Sequence, residues 1–182
     1  MNEIDLFGMQ TIDAINQLVV ANRYLQALVV LYSAIDTLAW VSLSSGDVTR
    51  FDFCKWDDTY LKPEMQVGCT SQDLYAARCA VVHSSAAESR MSREGQASEL
   101  WYSTSSHSID YLQSYARKVG AKAKVVHFTT LIAAFTFSVM DFSQELATDP
   151  GREAVCVERM KRWIRFLPLA ASDAQVNVIS DV

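Results

Sequence analysis

Arg78 and His83 are the side chains in this sequence best suited to chemistry on a phosphodiester, and they stand five positions apart in Arg78-CAVV-His83. An imidazole titrates near neutral pH, so it can take a proton from a ribose 2′-hydroxyl or give one to a leaving oxygen. A guanidinium can hold two phosphate oxygens and offset the charge that builds in the transition state. Such a mechanism needs no metal ion or other cofactor. The four cysteines and three histidines show no zinc-ligand spacing.

Spacing alone is weak support. With 16 Lys and Arg, ten of them Arg, and three His in 182 residues, a His five to seven positions after an Arg arises by chance about half the time. Five steps along a helix also rotate a side chain by about 140°, which separates the two unless the helix ends between them. The plainer arrangement pairs Arg78 with Asp36 or Asp73 and places His83 at a helix C-terminus.

The elements that would position the pair can be read from the chain. Thr70 and Asp73 stand at capping-box spacing and predict the start of a central helix. Leu74, Tyr75, Arg78, Val81 and Val82 follow, and the helix should end near His83-Ser84. Asp36 lies within the apolar stripe Leu25, Leu28, Val29, Tyr32, Ala39, Trp40 and Leu43 of an earlier helix, predicted over about residues 22–43. A carboxylate there needs a partner: a hydroxyl, a backbone amide or an arginine. In a functional site it would support Arg78 from behind; at a subunit interface it would serve a second copy. Ser84 and Ser85 suit the last helical carbonyls, or a phosphate. Arg90 and Arg93, in the polar stretch 84–98, would extend a phosphate-binding surface or be merely solvated.

Before this region the sequence predicts a helix over about 3–20 and a short helix over about 48–61 carrying Phe51, Trp56 and Tyr60. After it, Glu99–Ser103 and Lys124–Phe128 read as short strands flanking a helix from Ile109 to Val119. A strongly apolar helix follows over about 129–147, with Leu131, Phe135, Val139, Phe142 and Leu146 facing the core. Asp149-Pro150 reads as N-cap and first position of a last helix. Its apolar stripe is Cys156, Met160, Trp163, Ile164 and Leu167, and its arginines and lysine form the one local basic surface. The expectation is one domain over 1–182, mostly all-α, a bundle of about five to six helices with a short β-hairpin. The stretch 172–182 is expected to be a loosely held tail.

Composition narrows the classes further. Half the residues are apolar and 20% charged, which excludes a disordered chain, and a net charge of −5 argues against a general nucleic-acid coat protein. The cysteines lack C-x-x-C spacing and suit reduced thiols in a cytoplasmic protein. No signal peptide is read at the start, and no membrane span is expected from residues 24–43 or 128–140.

The segment DLYAARCAVVHSSAAESRMSREGQA resembles the HEPN family (higher eukaryotes and prokaryotes nucleotide-binding domain). The family hallmark is Arg-x(4–6)-His at the end of a central helix, and two long helices precede the motif here as they do there. The resemblance implies a metal-independent endoribonuclease, toxin- or defence-like, with Arg78 and His83 as the catalytic pair. It also implies a homodimer whose two motifs line one cleft, RNA as substrate, and an antitoxin or other protein as partner. The sequence departs from the pattern at Cys79, where active members carry a polar residue directly after the arginine. A thiol is a weaker hydrogen-bonding group. The alternative is a non-catalytic HEPN-like module for dimerisation or partner binding.

Overall fold

A computed structural model describes residues 3–105 and 107–162. The expected tail at 172–182, with Trp163, Ile164 and Leu167, lies outside the described residues. In chain order the elements are α1 (Glu3–Val20), α2 (Tyr24–Val41), α3 (Arg50–Trp56), a π-helical turn (Asp57–Leu61), α4 (Pro63–Gln66), α5 (Ser71–Ser84), α6 (Arg90–Arg93), β1 (Glu99–Ser103), α7 (Ile109–Lys118), β2 (Ala123–His127), α8 (Phe128–Thr148) and α9 (Pro150–Met160). The protein is mostly helical, as the apolar periodicity predicts.

Two expectations are corrected. There are more helices than five or six, because α4 and α6 are single turns and 48–61 divides into α3 and the π-helical turn. The strands form where expected, but they pair in parallel, with Glu99 opposite Ala123 and Ser103 opposite His127. Helix α7 intervenes between them, so the chain returns to run in the same direction, and the pair is not a hairpin.

Local chemistry accounts for the boundaries. Thr70 accepts from the Asp73 amide while Asp73 accepts from the Thr70 amide, closing the predicted capping box of α5. A second box, Thr49 with Asp52, starts α3. Asp149 caps α9 by accepting from the Arg152 amide, with Pro150 at the first turn. Lys62 in the left-handed region, with φ 51°, ends the π-helical turn and is followed by Pro63.

Helix α2 is the centre of the bundle and packs against α1, α3, α5, α8 and α9. Its length and mean hydropathy of 1.4 match a membrane-crossing segment, but half of it is buried inside the fold. A central core helix reads the same way because it has apolar neighbours on most sides. Leu131, Phe135, Val139, Phe142 and Leu146 of α8 are all buried, as the stripe predicts. Helix α1 passes α8 so closely that a Cβ on Gly8 would collide with Val139 Cγ1. Trp56, Tyr60 and Phe142 form an aromatic cluster, with centroids 5.2, 6.0 and 5.0 Å apart, that packs the π-helical turn onto α8.

Helix α9 docks through Arg159, which is buried. Its guanidinium lies 4.3 Å above the Trp40 ring centroid, and Nη2 donates to the Gly46 carbonyl at 2.8 Å. Arg159→Ala is expected to lower stability by about 1 kcal/mol, measured by urea unfolding. Arg159→Met should recover packing but not the bond to Gly46, and so fall between the two.

Candidate functional site

Helix α5 runs through His83 to Ser84, so the helix does not end between the two motif residues. They meet nevertheless. Arg78 Nη1 lies 3.0 Å from His83 Nε2, because the long arginine side chain bridges the rotation that separates their Cα positions. On its other edge Arg78 Nε donates to Asp36 Oδ2 at 2.5 Å, and Nη2 forms an ion pair with the same oxygen. One guanidinium thus joins a carboxylate of α2 to an imidazole at the end of α5.

The tautomer follows from the geometry. A guanidinium has only donors, so Nε2 of His83 must be the acceptor and the ring proton sits on Nδ1. His83 is exposed, while the side chains of Arg78 and Asp36 are 18% and 17% exposed. The charged pair is thus sheltered and the imidazole faces solvent. Burial pushes the Asp36 carboxyl above its usual range, against the opposing pull of hydrogen bonding and charge from Arg78. Burial also opposes the charge on Arg78, but hydrogen bonding and the charge of Asp36 more than compensate and raise its pKa.

Cys79 completes the surroundings. Its Sγ lies 3.9 Å from Arg78 Nη1, and Tyr75, whose hydroxyl pKa is raised by burial and then by the neighbouring Cys79, stands one turn earlier. The position where the family pattern has a polar residue therefore does contact the arginine, through a weak acceptor. Tyr75 was not among the residues singled out from the sequence. Its only signal there is its place four residues before Cys79 on the same helix face.

The remaining candidates are bonded to other groups. The Ser84 hydroxyl donates to the Ala80 carbonyl at 2.9 Å, the helix-end role, and Ser85 adopts the left-handed conformation that closes α5. Arg90 and Arg93 sit on α6, held at 3.7 Å from Glu94 and 3.8 Å from Glu88. No hydrogen bond or ion pair joins either of them to Arg78 or His83. Asp73, the other carboxylate offered to Arg78, instead accepts from Lys124 at 2.8 Å and from the Ser98 amide at 2.6 Å. It fastens α5 to β2 and to the residue that leads into β1. All four cysteines are unpaired thiols, and among the described residues no group of three or more His, Cys, Asp or Glu side chains is placed to hold a metal ion.

One ionisable group went unnoticed in the sequence. Asp57, the first residue of the π-helical turn, is fully buried, and neither carboxylate oxygen has a hydrogen-bond partner among the described residues. Burial, and then the charges of Asp58 and Asp36, push its pKa well above the usual carboxylate range. Nothing in the run Trp56-Asp57-Asp58 separates it from an exposed acidic residue.

Compared with known proteins, the chain matches no family model, no curated protein and no solved structure. The functional reading therefore rests on the cluster itself.

Proposed function

We propose that the Asp36–Arg78–His83 cluster acts on RNA as the site of a metal-independent endoribonuclease of the HEPN type. The observation that carries this reading is the single guanidinium bonded to both Asp36 and His83. His83 is the general acid–base, with its Nε2 lone pair facing the one cation that would hold the scissile phosphate. Arg78 stabilises the charge that develops on the phosphoryl oxygens, and Asp36 orients Arg78. In this role His83 Nε2 supplies the proton for the leaving oxygen, and the 2′-hydroxyl proton passes to water as O2′ bonds to phosphorus. The P–O5′ bond breaks, the leaving oxygen is reprotonated, and a 2′,3′-cyclic phosphate end remains. In a homodimer two such clusters would share one cleft, and an antitoxin or other protein would control it.

The test is single-stranded RNA incubated with purified protein in EDTA, beside His83→Ala. Cleavage by wild type alone, leaving cyclic phosphate ends, is the expected result. Equal cleavage by both proteins, or none by either, would remove the nuclease reading.

A second reading has its own observation. Most of the Arg78 N–H groups are already bonded within the protein, as they would be in a non-catalytic dimerisation or partner-binding module. In that case Arg78→Ala and His83→Ala would weaken folding or self-association, seen by thermal unfolding and light scattering, and there would be no RNA cleavage to lose.

A further inference from the structure

Arg78 has five N–H groups in a rigid fork. Nε–H and one Nη2–H face Asp36 Oδ2, one Nη1–H faces His83 Nε2, and the other is nearest Cys79 Sγ. A single Nη2–H is left. A phosphate oxygen pair is gripped by two parallel N–H groups, and the terminal edge of the fork, Nη1 with Nη2, is the one that Asp36 does not cover. In the structure that edge is blocked, because Nη1 is spent on the imidazole.

One proton reverses the situation. An imidazolium donates from both nitrogens and accepts from neither, so a proton on Nε2 ends the bond from Nη1. Nη1–H, Nη2–H and the new Nε2–H are then three donors within a few ångströms, all on cationic groups. Without an anion, two positive charges at that separation repel, so the open form is unfavourable when empty. An oxyanion between them satisfies all three donors and offsets both charges. Anion and proton therefore favour each other's binding, and the coupling is reciprocal. Asp36 keeps its hold on the Nε edge throughout and fixes the direction in which the freed edge points.

We infer that the Asp36–Arg78–His83 cluster takes up an oxyanion together with one proton on His83 Nε2, the guanidinium passing its Nη1 bond from the imidazole to the ligand. Among the described residues, the ionisable groups that interact with His83 are Arg78 on its own helix and Asp36 on α2. Identifying the anion as a phosphodiester rests on the function proposed above; the coupling to a proton rests on the bond between Arg78 and His83. The form that captures the phosphate then carries the proton that an acid step would deliver.

The experiment uses the full chain and a short single-stranded deoxyoligonucleotide. This probe lacks the 2′-hydroxyl, so it cannot be cleaved by this chemistry, and its phosphodiesters keep one charge across the range studied. Calorimetric titration at constant ionic strength between about pH 6 and about pH 8, in buffers of different ionisation enthalpy, reads affinity and proton uptake together. The expected result is affinity falling up to about tenfold per pH unit, with uptake approaching one proton per cluster occupied. His83→Gln, which keeps a polar side chain but cannot be protonated there, should bind with little pH dependence. Binding that is independent of pH but lost in Arg78→Lys overturns the proton coupling and leaves the phosphodiester site standing. The same pH slope in His83→Gln as in wild type also overturns the coupling, since the proton would then lie elsewhere. Absence of binding at every pH overturns both the coupling and the site.

Discussion

Arg78→Ala is expected to destabilise the protein by about 3 kcal/mol near neutral pH and to recover much of that loss in acid. The guanidinium is the partner that the sheltered Asp36 carboxylate has in the structure, held through both Nε and Nη2. Removing it leaves a carboxylate mostly out of water with no counter-charge, and breaking one side of such a pair costs more than the pair itself contributes. The pH dependence follows from the direction of the Asp36 shift. Its folded-state pKa already lies above the ordinary carboxyl value because burial outweighs the pull of Arg78. A raised carboxyl pKa favours the folded state below the unfolded pKa, and this is lost as pH rises through the folded pKa. Without Arg78 the folded pKa moves further up, so the variant's deficit is greatest at neutral pH and shrinks as Asp36 takes up a proton. Urea unfolding of wild type and variant across pH measures this directly. A deficit that stays constant with pH would show that lost packing of the arginine stem, and not the exposed charge of Asp36, is the cause. The double variant Asp36→Asn with Arg78→Ala should be more stable than Arg78→Ala alone at neutral pH.

Asp57→Leu is expected to stabilise the protein by about 2 kcal/mol at neutral pH, an unusual direction for a core substitution. Asp57 is fully buried, and both of its oxygens lack partners among the described residues. Replacing a buried unpartnered carboxyl with an apolar side chain of similar size removes a desolvation penalty and breaks no bond. The folded pKa is raised, so Asp57 leaves the protein most stable below the unfolded value near 3.8, and its penalty grows as pH rises above that. The gain from Leu should therefore be small in acid, and wild-type stability should decline with pH more steeply than that of the variant. Thermal unfolding at a series of pH values checks both statements. A loss of stability in Asp57→Leu at all pH values would mean that the carboxyl makes a bond, for example to a buried water, that the leucine cannot replace. The adjoining Trp56 indole N–H, which is also buried and without a partner among the described residues, would be the natural second partner of such a water.

Much of the fold was legible because it depends on local rules. The periodic apolar stripe of α8, the capping box that starts α5, and the Asp149-Pro150 start of α9 each follow from residues within one or two turns of one another. The strand segments were legible too, as short β-branched and aromatic runs. Their direction of pairing was not, since that depends on how the intervening helix carries the chain back. The π-helical turn was also hidden. Asp57–Leu61 follows α3 without a break in the chain, and the packing of Trp56, Tyr60 and Phe142 against one another at this turn depends on a residue more than eighty positions away.

For the candidate site, the sequence by itself determined which groups were available: an Arg, a His and a Cys on one capped helix, and an Asp in the apolar stripe of another. It could not decide whether they met, because 42 positions separate Asp36 from Arg78, and helical rotation argued against contact between Arg78 and His83. The tertiary structure decided both points. Packing of α2 against α5 brings the carboxylate to the arginine, and the reach of the arginine side chain brings it to the imidazole. It also decided which acids do not serve the site: Asp73 is taken by Lys124 and the Ser98 amide, and Asp57 is closed off inside the core. A carboxylate's role depends on the charges and water around it, and those are set by elements far away in the chain.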